Sequence, residues 1–227
     1  AVTALQQLGA DFSKRKGILI THEHSDHIKG LRVFLKKYPL PLYASEPVLE
    51  YLREHVELPA GLPMYEADPE GFCVGQMMVR PFATSHDSVG SLGYRISLPD
   101  GQELGFATDL GCYTEAVEEG LRGCRTVMLE SNYDDGMILV SDYPYYLKRR
   151  IQSRSGHLSN SDCAAALPAL AQNGTRNFVL GHLSQNNNLG LLAQQASEQA
   201  LLQAGLERGD FTLQIANRSQ LSQPVLL

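Results

Sequence analysis

Thr21-His22-Glu23-His24-Ser25-Asp26-His27-Ile28-Lys29-Gly30 places four potential metal ligands within six residues, directly after the apolar run Ile18-Leu19-Ile20 and directly before a helical pattern. In an extended chain residues two apart point to the same side, so His22 and His24 can hold one ion where the strand ends. Asp26 and His27 fall where the chain turns into a helix, and that change of direction re-aims them toward a second ion. Imidazole with one or two carboxylates suits zinc, and also manganese or iron, better than calcium or magnesium.

The 227 residues allow one substantial core or two small ones, and nothing in the composition divides them. Apolar residues make up 43% and charged residues 19%, an ordinary balance for a globular protein. A net charge of −6 argues against a nucleic-acid protein that works by overall basicity, but not against a local basic patch beside a metal site. No apolar run reaches the length of a membrane span, and the first residues have no signal-peptide layout. Cys73, Cys112, Cys124 and Cys163 have no CxxC spacing, so they are expected to be reduced, mostly buried thiols of a cytoplasmic protein.

Working outward from the histidine stretch, Val2, Leu5 and Leu8 read as the tail of a helix. Ile18–Ile20 reads as a strand buried on both faces. Ile28, Leu31, Phe34, Leu35 and Tyr38 recur at helical spacing, with Ser25 or Asp26 as the cap and Pro39 and Pro41 as the stop. A short strand at 42–44 precedes a helix opened by Ser45-Glu46-Pro47, and residues 58–71 read as a loop. His55 stands alone near the end of that helix and reads as a solvated surface residue.

Residues 72–84 have strand composition and lead into Ser85-His86-Asp87. Residues 92–98 and 103–107 flank Pro99-Asp100-Gly101 as a β-hairpin whose second arm delivers Thr108-Asp109. A strand at 126–129 ends in Glu130, a helix is expected over 141–151, and Gly156-His157 leads into another over 162–171. A strand at 177–180 is followed at once by Gly181-His182. An amphipathic helix over 189–204 and a strand at 211–216 complete the chain. The recurring event is a strand that ends in His, Asp or Glu, and strand ends gathered on one edge of a sheet can converge on a site.

Together, the run from Ile18 to Gly30, Thr84-Ser85-His86-Asp87, Ala107-Thr108-Asp109-Leu110-Gly111, Leu129-Glu130-Ser131-Asn132-Tyr133-Asp134, Gly156-His157-Leu158-Ser159-Asn160 and Gly181-His182-Leu183-Ser184-Gln185-Asn186-Asn187 resemble the metallo-β-lactamase fold superfamily, in its YycJ/WalJ (VicX) branch, related to tRNase Z. The resemblance covers nearly the whole chain and implies a single α/β (α+β) domain, an αββα sandwich over residues 1–227, in the cytoplasm. It implies two divalent ions, zinc with manganese as the alternative. By position, His22, His24 and His86 would hold the first, and Asp26, His27 and His182 the second, with Asp109 bridging. Relatives begin with a pair of strands that this sequence lacks, so the first sheet is expected to be short and its open edge could drive association.

The activity implied is that of a metal-dependent phosphodiesterase or exonuclease acting on nucleic acid, with DNA favoured. Asp26 would orient or deprotonate the attacking water, His157 would protonate the leaving oxygen, and Glu130 would orient His157, or else serve as a structural carboxylate satisfying backbone donors. Lys148, Arg149 and Arg150, with Tyr143, Tyr145 and Tyr146, could hold a phosphate backbone with base stacking or form a solvated helix face. Ser184, Gln185, Asn186 and Asn187 offer neutral donors beside His182. A hydrolase of thioesters, lactones or β-lactams on the same centre is the rival reading, and an inactive regulatory or binding protein is a third. Only 73 residues separate Asp109 from His182, which leaves no room for the extra domain of RNase J-like enzymes.

Overall fold

The computed structural model describes residues 6–9, 11, 14–218 and 221–225. Gln6 and Gln7 are helical, whereas Val2 and Leu5 of the expected leading helix lie outside the described residues. Two sheets form. The smaller holds β1 (Ile18–Leu19), β2 (Leu42–Ala44) and β3 (Met64–Glu66), all parallel. The larger runs β10-β9-β8-β7-β6-β5-β4, from β4 (Phe72–Val74), β5 (Met77–Ala83), β6 (Leu92–Ser97) and β7 (Glu103–Ala107) to β8 (Thr126–Glu130), β9 (Asn177–Gly181) and β10 (Thr212–Ile215). Its β7 to β10 half is parallel and its β4 to β7 half antiparallel.

The period-2 alternation of side chains decides the layering. On β1 and β2, Ile18, Leu42 and Ala44 pack against α2 (Leu31–Lys37) and α3 (Glu46–His55) through Leu31, Leu35, Val48, Leu49 and Leu52. The intervening Leu19 and Tyr43 face the other way, onto Val74, Val79 and Tyr94 of the larger sheet. On that sheet's far face Val127, Leu129, Phe178 and Leu180 meet α4 (Glu115–Leu121), α7 (Asn160–Gln172) and α8 (Gly190–Gln203). The result is helix, sheet, sheet, helix, as the resemblance implies. The Tyr94 hydroxyl donates to the Ile20 carbonyl at 2.6 Å, so a buried polar tip is satisfied by tying the two sheets together.

Several boundaries differ from expectation. The helix after the histidine stretch is two pieces, α1 (Ser25–Ile28) and α2, separated by a turn at Lys29-Gly30, and the residue at its N-cap is His24 rather than Ser25 or Asp26. The 58–71 loop contains β3, and the 72–84 segment is a hairpin of β4 and β5 turning at Gly75. Of the helix expected over 141–151 only α6 (Tyr145–Ile151) forms, because Pro144 cannot continue a helix from a preceding turn, and an unexpected helix, α5 (Asp135–Val140), lies before it. Ile18 and Leu19 are half-buried rather than fully covered. Of the cysteines, Cys124 and Cys163 are buried and Cys73 is exposed; all four are free thiols. His55 is exposed and stacks on Tyr51, one turn back.

Candidate metal centre and active site

Strands β5, β7, β8 and β9 point the same way in the larger sheet, so their C-terminal ends share one edge. The end of β1 joins them, because the Leu92 amide at the start of β6 donates to the Thr21 carbonyl at 3.0 Å. That edge gathers His22, His24, Asp26, His27, His86, Asp109, Glu130, His157 and His182. Ligand atoms of His22, His24 and His86 lie within 4.8 Å of one another, and the same holds for Asp26, His27 and His182. Asp109 sits between the two groups, with Oδ1 at 3.7 Å from His86 Nε2 and Oδ2 at 3.4 Å from His27 Nε2.

Hydrogen bonds at the back of the rings show what the fronts are for. His24 Nε2–H donates to the Asp87 carbonyl at 3.1 Å, and His86 Nδ1–H donates to the Gly156 carbonyl at 2.8 Å. A carbonyl can only accept, so each ring keeps a bare lone pair on its other nitrogen, and these two nitrogens face each other at 3.2 Å. His22 Nε2 and Asp109 Oδ2 are buried and have no hydrogen-bond partner. Facing lone pairs, an orphaned imidazole nitrogen and an orphaned carboxylate oxygen are what a cation would satisfy, so the residues present fit a metal centre. Both Asp109 (φ 60°) and His182 (φ 56°) take left-handed backbone conformations, among the described residues the two non-glycine positions that do. Such strain concentrates at sites where the side chain must be aimed.

Glu130 is fully buried. Its Oε2 accepts from the Leu110 amide at 2.7 Å and the Leu158 amide at 3.1 Å. Its Oε1 accepts from His157 Nδ1 at 2.8 Å and His182 Nδ1 at 2.7 Å. One oxygen thus meets two backbone amides and the other two imidazoles. A carboxylate with four donors has no lone pair left for an ion, although it lies close enough to be grouped with Asp109, His157 and His182. The bond turns His182 Nε2 toward Asp26, whose Oδ2 is 3.8 Å away. It also leaves His157 Nε2 pointing away from Glu130 on a side chain that is 16% exposed.

The charges follow from this geometry. Burial, with repulsion from His27, His86 and His24, lowers the His22 pKa to about 2, so the ring is neutral at physiological pH. Burial would also lower His182, but its pairing with Asp26 and Glu130 outweighs that and raises it to about 10. Pairing with His182 holds the Asp26 carboxyl below the ordinary carboxylate range. Burial would push Glu130 up, yet His157 and His182 bring it down to about 2.

In the chelated protein these shifts predict two limbs of instability. Stability contributed by His182, raised from 6.5 to about 10, is full below 6.5 and lost as pH rises through about 10. Stability contributed by His22, lowered from 6.5 to about 2, is full above 6.5 and lost as pH falls toward about 2. Urea midpoints in chelator are expected to fall on both sides of neutrality. Added Zn²⁺ is expected to flatten the alkaline limb, because a ligating imidazole carries no extra proton. An alkaline limb unchanged by zinc would count against His182 as a ligand.

The residues expected to meet substrate are less uniform. Lys148 donates to the Leu139 carbonyl at 2.8 Å. Arg150 makes a two-pronged pair with Asp87, at 2.6 and 2.9 Å. Arg149 is exposed and makes no hydrogen bond or ion pair among the described residues. Thus Arg149 alone of the three is uncommitted. Arg150 instead steadies Asp87, whose carbonyl holds His24. Ser184 is half-buried and Asn186 exposed, with Asn186 Nδ2 donating to the Tyr143 hydroxyl at 2.8 Å. Asn187 is fully buried; its backbone carbonyl accepts from the Asp134 amide, and its side-chain Oδ1 and Nδ2 have no hydrogen-bond partner. Sequence reasoning missed two orienting residues. Thr21 Oγ1 lies 3.1 Å from His22 Nδ1 and 3.4 Å from His27 Nδ1, and Asp87 backs His24. Their adjacency to His22 and His86 was the available signal.

A two-sheet sandwich with a histidine and carboxylate cluster at one sheet edge defines a class, and the sequence profile of the beta-lactamase superfamily domain matches residues 3–183: the chain belongs to that superfamily. Within it, the chain is 35% identical over 197 residues to the exodeoxyribonuclease YycJ of Bacillus anthracis, a match covering 86% of this chain and 74% of that one. It is 34% identical over 199 residues to the exodeoxyribonuclease WalJ of Streptococcus pneumoniae, covering 86% and 73%. Among solved structures, the metallo-beta-lactamase fold protein YhfI from Bacillus subtilis superposes with a TM-score of 0.64 at 16% identity, over 88% of this chain and 75% of that one. No helix among the described residues is long and apolar enough to cross a membrane.

Proposed function

We propose that the protein is a cytoplasmic, dinuclear metal-dependent phosphodiesterase that removes nucleotides from DNA ends. Its ions would be zinc, with manganese as the alternative. His22, His24 and His86 would hold one ion and Asp26, His27 and His182 the other, with Asp109 between them. The observation that supports this reading is the pair of triads whose potential ligand atoms lie within 4.8 Å of one another, with Asp109 between them and with His24, His86 and His182 each held through one ring nitrogen so that the other turns inward. Relatives that share a third of the sequence and bear the name exodeoxyribonuclease supply the substrate class. Two divalent ions in such a site supply positive charge to a phosphodiester and make a water acidic enough to attack near neutral pH.

The protein's own groups do the rest. Asp26, with 59% of its side chain exposed and Oδ2 3.8 Å from His182, would orient or deprotonate the attacking water. His157, held by Glu130 through Nδ1, presents Nε2 to the leaving oxygen and can donate a proton there. The test is hydrolysis of end-labelled DNA and RNA, single- and double-stranded, by zinc- or manganese-loaded protein. Release of nucleotides from DNA ends is expected. A folded, loaded protein that cuts no polymer but opens small thioesters or lactones would overturn the reading.

A further inference from the structure

Asp109 and His182, the two residues of the cluster with left-handed backbone, follow neighbouring strands of the larger sheet, β7 and β9, and β8 runs between them. The end of β8 and the chain just after it reach sideways to both. On one side Glu130 Oε2 takes the amide of Leu110, the residue after Asp109. On the other, Asn132 Nδ2 donates to the carbonyl of His182 itself at 2.7 Å. A carbonyl can only accept, so the nitrogen of the Asn132 amide is the atom that faces it.

Asn132 is buried, and so are Ser131, Asn160 and Asn188 beside it. Its backbone amide donates to the Leu158 carbonyl at 2.8 Å, and its backbone carbonyl accepts from the Ser184 amide at 2.7 Å and from Asn188 Nδ2 at 2.9 Å. Asn188 Nδ2 also meets the Ser131 carbonyl at 2.9 Å. Asn160 Nδ2 donates to Asn188 Oδ1 at 2.8 Å, and Ser131 Oγ donates to Asn160 Oδ1 at 2.6 Å. The loop from His182 to Asn188 is thereby stitched along residues 131–134, with the Asp134 amide on the Asn187 carbonyl as a further tie. A buried polar network of this kind, with its members satisfied, holds one geometry.

Within it Asn132 is the residue whose side chain reaches the His182 main chain. A donor on the carbonyl fixes the rotation of that peptide, and so the direction in which the side chain leaves the left-handed turn. Glu130 fixes the same residue at the other end, through the ring Nδ1 at 2.7 Å. We propose that Asn132 is a positioning residue for the second ion, holding the His182 main chain so that Nε2 is aimed toward Asp26 and His27. It touches no reacting atom. This rests on the ligand assignment above and is independent of which diester is cut.

The test is a competition titration of the metal-free, full-length protein with Zn²⁺ against a chromophoric chelator, which reads the affinity of each ion without any turnover. Asn132→Ala and Asn132→Leu are both compared with the parent; leucine keeps the branching of asparagine and lacks only the polar atoms. Each is expected to weaken one ion by about 10–100-fold, the usual cost of losing a partner that orients a ligand, and to leave the other ion at its parent affinity. His182→Ala is expected to weaken the same ion, and Asn132→Ala added to His182→Ala to weaken it no further, because a residue that acts through His182 has nothing to act on once the imidazole is gone. Thermal midpoints in chelator report whether each variant is folded, and the leucine variant carries the comparison if alanine leaves the chain unfolded. An Asn132→Leu protein that holds both ions like the parent would overturn the proposal, as would equal weakening of both ions or a full additional loss in the double variant. A His182→Ala protein that keeps both ions at parent affinity would instead remove His182 from the centre, and the proposal with it.

Discussion

Asp109→Asn is expected to abolish measurable hydrolysis while leaving the chain folded. Asparagine matches aspartate in shape and tolerates the φ of 60° at this position, so the loop after β7 keeps its course. What disappears is a negative charge facing both ligand triads, at 3.7 Å from His86 and 3.4 Å from His27. Charge stabilisation at a metal-assisted step is worth several kcal/mol, which corresponds to a loss of about 10³-fold or more in kcat/KM. Metal content is expected to fall below two ions per chain in the same preparation. Asp109→Ala would add backbone strain and confuse the two effects. An asparagine variant with two tightly held ions and near-parent turnover would remove Asp109 from the centre.

His157→Ala is expected to lower hydrolysis of a DNA strand by about 10²–10⁴-fold, the usual range for losing a positioned proton donor. The diagnostic comparison uses a nitrophenyl phosphodiester, whose leaving group departs without a proton, and there the loss is expected to be small. Equal losses on both substrates would show that His157 acts by shape and not as an acid. Glu130→Gln is expected to be harsher on stability. An amide in that buried position cannot accept from both Leu110 and Leu158 while also holding His157 and His182. Each donor left unmet costs about 1–3 kcal/mol, readable as a lower urea midpoint.

The cluster was legible because it is written locally: a β-run that ends in His, Asp or Glu can be seen in five or six residues. The αββα layering came with the family resemblance, and the split of Leu19 and Tyr43 from Ile18 and Leu42 was missed because 18–20 read as a strand buried on both faces. What failed was what depends on distance along the chain. β3 has three residues and no periodicity of its own, and it exists because β2 offers it an edge. The resemblance implied that Glu130 orients His157, 27 residues on, but its second bond, to His182 across 52 residues, is invisible in sequence. Arg150 reads as a free cation until Asp87, 63 residues away, is seen to hold it. Pro144 was the local signal overlooked, and it delays the start of the expected helix to Tyr145.

The left-handed backbone at Asp109 and His182 bears on how the protein fares in a cell. Each such residue costs about 1–2 kcal/mol against an ordinary conformation, and the crowded imidazoles of His22, His24 and His86 add mutual opposition that only a cation relieves. An ion that binds the folded chain alone and is present at a hundred times its dissociation constant returns about 2.7 kcal/mol. Metal supply would then govern how much of the protein escapes proteolysis as well as how fast each molecule works. Under divalent-metal starvation its abundance is expected to decline along with its activity.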